Sequence, residues 1–190
     1  MNTEFERAQQ DPEYLAWLEV MDSELNRFLA EDAPEIGKLD DSYTAEGQAL
    51  CEQAIRDRFG RGQAIADPVN AEMADRFTRY IGEVHRRATE ARWVNAGRMS
   101  EGAAIRPQLL FPFSEYSFDP CEQIGSAFAA DPQLPSELVW VLNNMLEEHT
   151  RWVGFGRPSV DEYWRLYLER WWPRPMEMTY KGAVRPLGQT

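Results

Sequence analysis

The sequence predicts an α+β fold that is mainly helical, with about six helices and a small antiparallel sheet or hairpin near residues 92–112. Apolar residues recur at spacings of three and four over long stretches, the period of a half-buried helix. Asp-Pro helix starts occur at Asp11-Pro12, Asp67-Pro68 and Asp119-Pro120, each with a side-chain acceptor followed by a ring preset for the first turn. Between the second and third of these, short apolar runs are cut by Gly97, Gly102, Pro107 and Pro112, as strands are.

From Asp11-Pro12, the residues Tyr14, Leu18, Met21, Leu25 and Phe28 form one stripe, predicting a helix to about Ala30. Residues 31–42 hold a proline, a glycine and five acids and read as a loop. A second helix runs from Thr44 to Phe59 and stops at Gly60. The third starts at Asp67-Pro68 and carries Val69, Met73, Phe77, Tyr80, Ile81, Val84 and Ala88. Arg92–Asn95, Ala103–Arg106 and Gln108–Phe111 are extended candidates, and the two prolines place them at sheet edges. A short helix follows Asp119-Pro120. Ser136 caps the next, along Leu138, Val141, Leu142, Met145, His149 and Trp152. The last begins at Ser159–Glu162, a capping-box pattern, and carries aromatics on more than one face. Residues 1–172 are therefore read as one globular domain and 173–190 as an irregular C-terminal tail.

The chain has 190 residues, 43% hydrophobic and 27% charged, which suits a packed domain. No apolar run is long enough to cross a membrane, and the N-terminal residues are acidic where a signal peptide is basic and then apolar. A cytoplasmic location is expected. Two cysteines fit a reducing compartment. Net charge is −12, and residues 1–57 hold fifteen Asp/Glu against four Lys/Arg. That acidity repels nucleic acid and anionic membrane and attracts basic protein surfaces; its simpler role is solubility. Eighteen arginines against two lysines point to a GC-rich genome.

Residue by residue, the chemistry assigns no catalytic residue, no metal ligand and no cofactor. His85 follows Glu83 by two positions, and His149 directly follows Glu147-Glu148, neither at chelating helical spacing. Both histidines read as satisfied core residues. Cys51 lies within a helix on its core-facing side and reads as inert, and Cys121 sits in a first turn, where the helix dipole would lower the thiol pKa. No nucleophile elbow, phosphate loop or dinucleotide fingerprint is present, although abundant carboxylates leave a paired-acid site open. Arg76, Arg79 and Arg86 interleave with the apolar stripe and read as snorkelling rim residues.

Tyr80-Ile81-Gly82-Glu83, then Ala91-Arg92-Trp93-Val94 and Asp119-Pro120-Cys121-Glu122, give residues 70–130 a pattern that resembles small uncharacterised bacterial proteins, many of them actinobacterial. Some of those are similar to immunity proteins that neutralise secreted toxins. The resemblance brings no catalytic residue. Physically, Gly82 would let its helix approach a neighbour, and Trp93 would anchor the first strand there.

Localised acidity, many aromatics and absent catalytic motifs lead to one expectation: a protein-binding chain, an immunity protein or inhibitor that neutralises an enzyme toxin by direct contact, a basic toxin domain being a candidate partner. Its contact residues are expected to be Asp32, Glu35, Asp40 and Asp41 of the acidic loop, Phe155 and Arg157, and Trp164 and Trp171. Two alternatives stand beside it: a stand-alone structural or housekeeping domain without catalytic activity, either single or as a homodimer through Trp164 and Trp171, and an enzyme of unrecognised type that uses carboxylates.

Overall fold

The computed structural model describes residues 3–60, 65, 67–100, 103–129, 134–171, 176–178 and 184–186. These form eight α-helices and a three-stranded antiparallel sheet, the mainly helical α+β architecture expected. The count exceeds six for two reasons. Thr3–Ala8 forms an unforeseen α1, and the helix expected from Pro12 to Ala30 divides into α2 (Pro12–Glu19) and α3 (Met21–Arg27). The division falls at Val20, where the backbone leaves the helical region (φ −92°, ψ 8°). Ending α2 there releases the Trp17 carbonyl, which accepts a hydrogen bond from Arg79 Nη1 (2.7 Å). α3 continues into a π-helical turn, Phe28–Asp32, and a 3₁₀ turn follows at Ile36–Lys38.

α4 (Ala45–Phe59) has its expected limits, with Thr44 capping the start and Gly60 (φ +60°) at its end. Asp67 caps a 3₁₀ turn, Pro68–Asn70, and α5 proper is Ala71–Thr89. Val69 therefore leaves the apolar stripe and is exposed. β1 (Arg92–Asn95) pairs with β2 (Pro107–Leu110), and β2 pairs with β3 (Ser117–Phe118). Ala103–Arg106 is not a strand, and the strand with prolines beside it is central rather than an edge. Pro107 is tolerated because it is the strand's first residue, where a missing N–H costs little. The remaining helices are α6 (Pro120–Ala129), α7 (Glu137–Gly154) and α8 (Val160–Trp171). Within the segment read as an irregular tail, β4 (Met176–Met178) and β5 (Val184–Pro186) pair antiparallel.

Two apolar clusters form. The larger gathers α3, α4, α5, α6 and the first half of α7, around Phe28, Ile55, Phe77 and Tyr80. The smaller joins the sheet to the end of α7 and to α8, around Leu109, Phe111, Phe113, Trp152 and Tyr163. α5 lies inside on most sides. Arg76 and Arg79 are buried and ion-paired, so they are not rim residues: Arg76 meets Asp32, and Arg79 meets Asp75 (2.6 Å). Buried Glu52 of α4 accepts from Ser136 Oγ (2.6 Å) and the Leu138 N–H (3.0 Å), tying α4 to the start of α7.

The Gly82 reading is met in geometric terms. A Cβ on Gly82 would lie 2.1 Å from Trp93 Cη2, so the indole of β1 rests on the helix backbone itself. Its Nε1 donates to Glu83 (2.8 Å), which also accepts from Arg86 and Arg87. Burial pushes the Glu83 pKa up, but these donors outweigh it and hold it below the usual carboxylate value.

Candidate partner-binding surface

The eight residues expected to meet a partner divide between the two clusters. Asp32 does not face outward. It is 6% exposed, and its carboxylate accepts from Arg76 Nε (2.5 Å) and Nη2 (3.1 Å). The π-helical turn swings Asp32 inward, a rearrangement that composition alone could not signal. Glu35 is exposed and pairs with Lys38 (2.6 Å), Asp40 is exposed, and exposed Asp41 accepts from the Tyr43 N–H (2.9 Å). Glu35 also stands beside a cleft, together with Asp57 of α4, a residue that sequence reasoning did not select.

On the other cluster, Phe155 is half-buried and packs edge-to-face on Tyr163 at 5.9 Å. Arg157 is exposed but committed: its Nη2 donates to Glu90 Oε1 (2.9 Å), and His149 Nε2 lies 3.2 Å from the same oxygen. The Arg157 hydrogen bond, then that of His149, lowers the Glu90 pKa. Glu90 (φ +61°) and Arg157 (φ +58°) are the non-glycine residues with left-handed backbone among those described. Both ends of this ion pair therefore carry backbone strain, and the pair fastens the α7–α8 loop to the end of α5.

α8 turns Tyr163 fully inward, where its hydroxyl donates to Glu148 (2.5 Å). Burial and that carboxylate raise the Tyr163 pKa. Trp164, the next residue, is turned outward and is 41% exposed, with Leu168 exposed one turn on. Trp171 ends α8, and its side chain lies outside the described residues. Trp164 forms one wall of a groove of about 320 Å³, with Phe111, Phe113, Phe118 and Met145 as its apolar lining. Tyr116, 81% exposed, also lines it, from the loop that precedes β3. The surplus of aromatics is visible in the sequence; the loop that brings Tyr116 to the same groove as Trp164 is not.

The two edges of the sheet differ. At β1, Gln9 imitates a strand: its Nε2 donates to the Asn95 carbonyl (2.8 Å), and its Oε1 accepts from the Asn95 N–H (3.0 Å). β3, the opposite edge strand of the sheet, borders the groove.

The histidines and cysteines play other parts. His85 is wholly buried. Its Nδ1 meets the Ile81 carbonyl (2.9 Å), but Nε2 has no partner, so it is a half-satisfied core histidine. Burial lowers its pKa to about 4. His149 is partly exposed, on the Glu90 pair rather than in the core. Burial raises both thiols, with neighbouring acids adding to it, so the helix start does not favour a Cys121 thiolate. Among the described residues, no helix is long and apolar enough to cross a membrane, and no group of His, Cys, Asp and Glu is placed to hold a metal. No family model, curated protein or solved structure matches the chain.

Proposed function

We propose that this chain acts by binding another protein, as an inhibitor of the immunity-protein kind that neutralises an enzyme toxin through direct contact. The carrying observation is the apolar groove whose lining includes the exposed aromatics Tyr116 and Trp164. Large aromatics beside an unfilled groove hold apolar area that a partner can remove from water, and residues of this type dominate interface energies. The acidic balance supports a basic partner, since opposite charge speeds encounter while the aromatic anchors slow release.

The test is capture from the native host and protection in co-expression with the candidate toxin encoded beside its gene. The intact chain is expected to retain a basic partner, and Trp164→Ala to weaken the complex by about 30-fold or more. Neither capture nor protection by the intact chain would defeat the reading. A dimer that Trp164→Ala converts to monomer, with no foreign partner captured, would favour self-association instead.

A further inference from the structure

A second cleft opens on the larger cluster, between α4 and the loop that follows the π-helical turn. It encloses about 370 Å³, and its walls are apolar: Pro34 and Ile36 from the loop, Leu50 and Ala54 from α4. Glu35 and Asp57 line it from its two sides. The Asp32 carboxylate is spent on Arg76. The cations nearby leave Glu35 and Asp57 poorly matched. Arg58 directs its guanidinium to main-chain carbonyls, of Asp32 (2.9 Å) and Glu31 (2.8 Å). Lys38 reaches Glu35, but both side chains are 67% exposed, and such pairs contribute little in water. Asp57 accepts from the neutral Gln53 amide (2.9 Å).

Apolar walls with carboxylates beside them fit one class of side chain, a long apolar stem ending in a cation. A purely apolar occupant would strip water from the carboxylates without compensation, and an acidic one would be repelled. We propose that this cleft receives a lysine or arginine side chain of the partner protein, its methylenes between Ile36, Leu50 and Ala54 and its charged head at Glu35 and Asp57. The inference rests on the reading of the chain as a partner-binding protein and gives its acidic third a defined point of contact. Lys38 is then an internal competitor for Glu35.

Small probes test the cleft without the partner. Nα-acetyl-lysine methylamide, Nα-acetyl-arginine methylamide and the uncharged Nα-acetyl-norleucine methylamide are titrated into the labelled full chain and followed by amide NMR. Both cationic probes are expected to shift the Ile36, Leu50 and Ala54 signals saturably, with norleucine about fivefold weaker. Glu35→Gln/Asp57→Asn should abolish that preference, and Lys38→Met should strengthen cation binding about twofold. Equal response to norleucine, shifts centred elsewhere, or no saturable shift would each overturn the inference. Those results leave the aromatic groove untouched, whereas failed capture with a cation-selective cleft would overturn the partner reading alone.

Discussion

In the larger cluster the buried charges of Asp32, Arg76, Glu52 and Glu83 each meet an opposite charge, whereas in the smaller one Trp164, Leu168 and nearby Tyr116 keep large apolar area in water. The difference separates two uses of conspicuous residues. Acids that looked like a contact surface are in part internal ties, and removing one leaves a charge stranded in a poorly solvated place. The exposed aromatics keep part of their area in water although Trp164 also packs on Tyr163 and Tyr167, and that exposed part is what a partner could cover. Within the acidic third, position decides the role: Asp32 holds the protein together, and Glu35, three residues later, faces the cleft.

The sharpest way to break this contrast is Asp32→Ala, which leaves buried Arg76 with the longer ion pair to Glu24 (3.7 Å) in place of two close hydrogen bonds. A loss of about 3–5 kcal/mol is expected from urea unfolding; a loss below about 1 kcal/mol would show that Arg76 finds water, and the contrast would fail. Next is pH. The folded pKa of His85 is depressed to about 4 from the ordinary 6.5, so the unfolded chain binds the proton first as pH falls. Stability should therefore fall between about pH 6.5 and 4, by about 3 kcal/mol in all. His85→Phe, which also removes the unpartnered Nε2, should flatten that slope above pH 4.5, where carboxylate losses are small. Gly82→Ala should cost about 2–3 kcal/mol, because the Trp93 ring must move and its bond to Glu83 stretch. Chemical denaturation followed by tryptophan fluorescence would read the cost. Smallest is Trp164→Ala, expected to lower folding stability by about 1 kcal/mol, since only part of the ring rests on Tyr163 and Tyr167. If thermal unfolding shows Trp164 to be as costly as Asp32, the aromatic face belongs to the scaffold.

Local signals were legible where one residue type settles the matter. Thr44 and Gly60 bound α4, Ser136 starts α7, and Gly82 meets Trp93 as their sizes require. What escaped the sequence depends on distant partners. The break at Val20 makes sense only once Arg79 is beside the Trp17 carbonyl, and the inward turn of Asp32 only once Arg76 awaits it. Arg76 and Arg79 have the spacing of rim residues, yet acids brought by α3, its following turn and α5 itself allow them inside. The site followed the same rule. Trp164 was visible as an aromatic on a crowded helix, while Tyr116 and Asp57 gained meaning from the surfaces that face them.

The contact between Gly82 and Trp93 bears on inheritance. A helix that must accept an indole against its backbone has few solutions: glycine beneath the ring, and an acceptor beside it for the indole N–H. Unrelated chains facing that steric problem can reach the same short spelling, so shared letters at these positions record a shared packing constraint before they record descent. Kinship, and with it a common target, is better sought in residues the scaffold does not require. In this molecule Tyr116, Trp164, Glu35 and Asp57 are of that kind: they line the two clefts, and the proposed contacts rest on them.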